Sequence, residues 1–227
     1  MNVLDFNDLV DKEDRKNVQK WYKSLCQRFV KEYGFVLHKP NFLVRVNQDI
    51  PLAYSICFDY TASQLIVHTA MQPLYSKSDV VHFTCGARID EYLPSVGHSL
   101  CGYKSELEPD KHLVEERLVH DVLPLFDSIQ STNDFINFLE NMSKTPFRCR
   151  DIFHYEYIAY GYLQMENYTI AERKLEFLLT YSADRGYSYD MSEASKLLRC
   201  IQRKDYDVIK EILAGNIEFT RAHCGLY

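Results

Sequence analysis

The chain has no run of about 18 apolar residues anywhere in its 227 positions, so no ordinary transmembrane helix is expected. Its first residues, Met1-Asn2-Val3-Leu4-Asp5, lead into Asp8, Asp11, Glu13 and Asp14. A basic leader, an apolar h-region and a small-residue cleavage site are all missing, which argues against a signal peptide. Glycine is scarce, at eight residues. Neither a dinucleotide-binding G-x-G-x-x-G, nor a P-loop, nor a G-x-S-x-G nucleophile elbow is present. Basic charge is also in deficit: 26 Lys and Arg stand against 32 Asp and Glu, a net charge of −6. Binding to nucleic acid draws on phosphate neutralisation by a basic face, so nucleic acid is not an expected partner. The seven cysteines are odd in number and scattered from Cys26 to Cys224, unlike a disulfide framework. A cytoplasmic protein with no membrane partner is the expectation.

What the chain has in abundance is core material. Hydrophobic residues make up 46% and charged residues 26%, the profile of a packed globular protein. Aromatics reach 14%, dominated by 17 Tyr and 13 Phe against one Trp. Tyrosine in such numbers supplies both core volume and polar-tipped rings suited to interfaces.

Hydrophobic spacing organises the chain into an α+β protein. Val18, Trp21, Tyr22, Leu25, Phe29 and Tyr33 recur at helical intervals and predict a helix over 12–33, with Gly34 as its stop. Strand-like stretches follow at Phe42–Val46, Ala53–Tyr60, Gln64–Ala70 and Val80–Ile89, with a turn at Asn47-Gln48-Asp49. Short links between them favour antiparallel pairing. An antiparallel sheet of about four strands, with the first helix packed on one face, is therefore predicted for a domain over 1–108. Residues 92–108, with Pro94, Gly97 and Gly102, suggest irregular loop.

The remainder, 109–227, is expected to be an all-helical domain. Leu113, Val114, Leu118, Val122, Leu125, Phe126 and Ile129 share one face of a helix from Asp110, kinked at Pro124 for want of a backbone donor. Ser131 is placed to cap a short helix bearing Phe135, Phe138, Leu139 and Met142.

From Tyr155 the spacing resembles the tetratricopeptide repeat (TPR), W-x2-L-G-x2-Y followed by A-x3-F-x2-A. Tyr155 stands for the Trp, Ile158-Ala159 for Leu-Gly, and Tyr162 for the Tyr. Ala171, Leu175 and Leu178 occupy the positions of the Ala, Phe and second Ala, with Glu166-Asn167-Tyr168 at the turn. The match covers one repeat and departs from it at Tyr155, Glu166 and Leu178; the helical pair around Lys204-Asp205-Tyr206 is a weaker second copy. The resemblance implies helical hairpins offering a groove to a peptide or protein. A plain α-hairpin packed on the rest of the chain is the competing reading. The order of elements, with the phrase Met71-Gln72-Pro73-Leu74-Tyr75, is also similar to that of a loosely defined group of uncharacterised bacterial proteins, which implies no activity.

These features point to a non-enzymatic interaction module whose partner is a protein or peptide, a second copy of itself included. The candidate contact residues are Tyr155, Tyr162, Tyr181, Tyr187 and Tyr189. One alternative is a small-molecule or metal-dependent enzyme in the sheet domain, another a self-associating or antitoxin-like inhibitor. For metal, His82-x2-Cys85-Gly86 recurs as His98-x2-Cys101-Gly102, four potential ligands for zinc. Alternation along Val81–Cys85 would turn His82 and Cys85 to opposite faces of a strand, so the favoured reading has no cofactor. His112, Glu116 and His120 align on one helix but opposite its apolar face, as solvated residues do. Cys57 sits among apolar residues and is expected to be an inert core thiol. Pro73–Ser78 could form a binding loop, although a surface connection is the default.

Overall fold

The computed structural model describes residues 8–61, 64–92 and 99–226. It is α+β: an N-terminal helix, an antiparallel sheet and a helical C-terminal half. The sheet has six strands in sequential order, not about four: β1 (Val36–Lys39), β2 (Phe42–Val46), β3 (Leu52–Tyr60), β4 (Leu65–Pro73), β5 (Cys85–Arg88) and β6 (Arg148–Cys149). The two additional strands are edge strands: β1, of four mostly exposed residues without alternation, and β6, of two residues, too brief for alternation to reveal. The expected strand at Val80–Ile89 shrinks to its second half, because Val80–Thr84 leaves the ladder. No helix among the described residues is long and apolar enough to cross a membrane.

The chain forms two compact units, each assembled from several segments: Met1–Val46 with Tyr54–Met71 and Gly86–Ser128, and Asn47–Ala53 with Gln72–Cys85 and Ile129–Tyr227. The boundary expected after residue 108 is a single cut, whereas strands β3, β4 and β5 each contribute residues to both units.

In the first unit, α1 (Lys12–Tyr33) begins where the Asp11 carboxylate accepts from the Glu13 and Asp14 amides and ends at Gly34 with φ 70°. The Asp11 amide donates in return to the Asp14 carboxylate, which completes a capping box. Val18, Tyr22, Leu25, Cys26 and Phe29 are buried, and Tyr22 stacks on Phe58 of β3 at 5.6 Å. Two further helices, α2 (Leu107–Arg117) and α3 (Leu123–Ser128), are joined by a π-helical turn at Leu118–Val122. The Leu123 amide donates to the Leu118 carbonyl, five residues back. This widened turn directly precedes Pro124, whose ring would crowd the preceding carbonyls of a regular helix. His112 and His120 are exposed and Glu116 pairs with Arg117, in keeping with a solvated face.

In the second unit, α4 (Thr132–Glu140) is capped by Ser131, whose side chain accepts from the Asp134 amide. Four longer helices follow: α5 (Asp151–Gln164), α6 (Tyr168–Arg185), α7 (Ser192–Arg203) and α8 (Tyr206–Cys224). Ala159, Ala171, Leu175, Leu178, Leu197 and Ile209 belong to a fully buried cluster. Both helix pairs turn the same way. Glu166 and Lys204 adopt left-handed φ values of 57° and 61°, and each is followed by a residue near φ −85°. Tyr168 and Tyr206, the first residues of α6 and α8, stack face to face with centroids 4.1 Å apart.

Candidate functional site

The segment Leu74–Ser78 is not the surface connection its sequence suggests. Leu74, Tyr75 and Ser76 are buried, because their polar groups find partners on α5 and α8. The Tyr75 hydroxyl donates to the Tyr157 carbonyl at 3.3 Å. The Asn216 amide donates both to the Tyr75 carbonyl, at 3.1 Å, and to the Glu193 carboxylate, at 2.9 Å. The Ser78 amide donates to the Thr220 hydroxyl at 3.0 Å. Unmade bonds of buried polar groups are costly, so such a segment can be buried only with this many partners.

Beside this segment opens a cleft of about 290 Å³, lined by Lys77, Glu156, Tyr160, Tyr189, Asp190 and Glu193 among others. A second cleft, of about 410 Å³, shares Lys77 and Tyr189 and adds His82, Phe153 and Phe219. Glu156, only 4% exposed, is the central group. Burial pushes its carboxyl up to about 7, while hydrogen bonds from the Ser76 and Tyr189 hydroxyls pull the other way and the Glu193 charge adds to the rise. The Tyr189 and Tyr160 hydroxyls are both raised, first by burial and then by the Glu156 charge. The Lys77 ammonium lies 4.5 Å from the centre of the Phe219 ring. Burial lowers the pKa of the His82 imidazole, and its Nδ1 lies 2.7 Å from the Thr84 hydroxyl. That hydroxyl is in turn 2.9 Å from the hydroxyl of Tyr157.

Glu193, Asp190 and a partly ionised Glu156 against the one Lys77 ammonium, with Tyr160 and Tyr189 beside them, favour a cationic guest. An ammonium or guanidinium would exchange water for carboxylate oxygens and ring faces, the two surfaces that stabilise such cations best. The cleft volume suits a side chain or a small ligand. None of Ser76, Lys77, Glu156, Tyr160 and Glu193 stands out as a motif. The one signal is Glu156 itself, a carboxylate inside Tyr155–Leu163, where the other residues are aromatic, aliphatic or glycine.

The sequence-derived contact residues divide. Tyr155, Tyr181 and Tyr187 come together around Phe177. Tyr155 lies 4.8 Å from both Phe177 and Tyr181, and Tyr181 stacks on Tyr187 at 6.1 Å. Phe177 is 49% and Tyr187 41% exposed. The Tyr181 hydroxyl donates to Asp151. Tyr189 instead belongs to the cleft, with its ring 5.3 Å from Phe153. Tyr162 joins neither group and lies beside the Lys174 ammonium.

Of the metal candidates, His82 and Cys85 lie in the second unit and Cys101 in the first, while His98 lies outside the described residues. Among the described residues no three His, Cys, Asp or Glu side chains are grouped to hold a metal ion. Cys85 and Cys101 are fully buried, and burial raises the Cys101 thiol to about 12. Cys57 is likewise raised to about 11, chiefly by burial, although the residue is only half-buried. Comparison with protein-family models, with curated proteins and with solved structures finds no match.

Proposed function

We propose that this chain is a non-enzymatic interaction protein whose helical unit binds a protein or peptide by taking one of its Lys or Arg side chains into the Glu156 cleft. The observation that carries the reading is the placement of a buried carboxyl, raised to about 7, at the wall of a side-chain-sized cleft shared with Glu193, Tyr160 and Tyr189. A buried perturbed carboxyl in a cleft is a common mark of a binding site. Burying an acid costs stability unless something compensates, and an incoming cation is such compensation. The exposed rings of Phe177 and Tyr187 offer apolar area for the rest of the partner. Helix pairs with TPR-like spacing, turning alike at Glu166 and Lys204, support an architecture used for peptide recognition.

The test is titration calorimetry with short capped peptides that differ at one position: Lys, Arg or norleucine. The Lys or Arg peptide binds more tightly than the norleucine peptide, and the preference weakens with salt. At pH 6 binding releases a proton, seen as a dependence of the heat on buffer, because the cation favours ionised Glu156. Equal binding of all three peptides, or none, defeats the reading. Sedimentation in the same buffers shows whether a second copy of the chain is the guest instead.

A further inference from the structure

Strands β5 and β6 are neighbours in the sheet, and the Arg150 amide donates to the Thr84 carbonyl at 3.1 Å. In an antiparallel ladder that bond sets Cys149 directly opposite Cys85, at a position where the two residues exchange no backbone bond. Such pairs bring Cα atoms to about 4.5 Å and side chains closest together. That separation is within the range a disulfide spans, about 4.4–6.8 Å. The two thiols are near enough to interact, since Cys85 is the largest influence on the Cys149 thiol. Both are free thiols, and their surroundings differ. Cys85 is fully buried, whereas Cys149 lines an open cleft of about 470 Å³ with Phe147, Asp151 and His154.

We propose that Cys85 and Cys149 are a reversible dithiol–disulfide pair, oxidised by a low-molecular-mass disulfide that reaches Cys149 through this cleft. The Cys149 thiolate attacks one sulfur of the oxidant, forming a mixed disulfide and releasing one equivalent of the small thiol. Cys85 then gives up its proton and attacks the Cys149 sulfur. The protein disulfide forms and a second small thiol leaves, so that two protein thiols and one small disulfide become one protein disulfide and two small thiols. The rate has a built-in brake. The Cys149 thiol is raised by the neighbouring Cys85 thiol, by burial, and by the Asp151 and Glu156 charges. Thiolate is scarce at neutral pH and increases tenfold per pH unit, and exchange follows it. Geometry therefore permits the bond while the electrostatics make it slow. A steady oxidising poise, rather than a brief pulse, is what would close it.

The experiment incubates the reduced full-length chain with oxidised glutathione under native conditions at pH 7 and pH 8, followed by intact mass and non-reduced peptide mapping. The expected product has lost two hydrogens, links the peptides bearing Cys85 and Cys149, forms about tenfold faster at pH 8, and reverts with dithiothreitol. Cys85→Ser should stop at glutathione held on Cys149, and Cys149→Ser should give no internal link. The mapping of the unaltered chain decides the matter if either variant folds poorly. A wild-type product that stays as mixed disulfides would overturn the proposal. So would a link through another pair such as Cys26 and Cys57, or one that forms only after denaturation. None of these readouts involves cation binding at Glu156, so the two proposals stand or fall separately.

Discussion

Replacing Glu156 by Gln separates the cost of a buried charge from the bonds that hold it. The carboxyl lies at about 7 in the folded chain against an ordinary 4.5. Between those values the folded state holds more protons than the unfolded one, so stability falls as pH rises. The contribution is intact below pH 4.5, is lost through the window up to about 7, and levels off above it. At ~1.4 kcal/mol per pH unit the whole loss is about 3 kcal/mol, and roughly 1 kcal/mol of it has gone by pH 5. Some 2–3 kcal/mol should therefore separate pH 5 from pH 8 in the wild type. Gln keeps the shape, and its amide oxygen still accepts from the Ser76 hydroxyl, but it cannot ionise. Urea unfolding followed by far-UV circular dichroism at the two pH values gives the difference between wild type and Glu156→Gln. The variant should gain about 2–3 kcal/mol relative to wild type on moving from pH 5 to pH 8. A gap that stays constant across the window would refute the reasoning, because Glu156 would then be ionised throughout, with its hydrogen bonds outweighing burial.

Gly86 of β5 faces Ala70 of β4, and a Cβ built there would lie 2.5 Å from the Thr69 carbonyl oxygen. Gly86→Ala must push strand backbone aside and should destabilise by about 1–3 kcal/mol in thermal or urea unfolding; a neutral result would mean the two strands are less closely apposed. The stacked Tyr168–Tyr206 pair, with rings 14° from parallel, should show a coupling of about 0.5–1.5 kcal/mol in a double-mutant cycle to Leu. Strictly additive losses would contradict the contact. Phe177→Ala removes a ring that is 49% exposed and should cost less than about 1 kcal/mol of stability. A loss above about 2 kcal/mol would make the Tyr155–Phe177–Tyr181 cluster structural cover rather than free contact surface.

Local signals were the ones sequence could carry. Helix α1 occupies Lys12–Tyr33 as its spacing predicts, because its ends are set by neighbours within three residues: the Asp11 cap and the left-handed Gly34. The turns expected at Glu166 and Lys204 lie where the polar triplets put them, although neither residue is the glycine that a positive φ ordinarily favours. Strand β1 escaped because its four residues are mostly exposed and do not alternate, and β6 because two residues cannot display a period. The cleft escaped for a different reason. Glu156 is held by Ser76, 80 positions away, and Asn216 reaches the Tyr75 carbonyl across 141. No window along the chain contains both partners of either bond.

That long reach also explains why the candidate chemistry gathers on α5 rather than on the His/Cys pairs that looked most like a site. Three residues of this region bond back to the segment between β4 and β5. Arg150 meets Thr84 through its backbone. Glu156 meets Ser76, and Tyr157 meets both Tyr75 and Thr84. A helix anchored by so many distant polar partners carries its carboxyl into a low-dielectric wall that a surface helix would avoid, and that placement shifts its protonation toward neutrality. The same register sets Cys149 across from Cys85. The raised acid and the facing thiols are thus two consequences of one packing decision, in which Leu74–Ser76 and Cys85, at the two ends of the link between β4 and β5, are buried instead of being left in solvent.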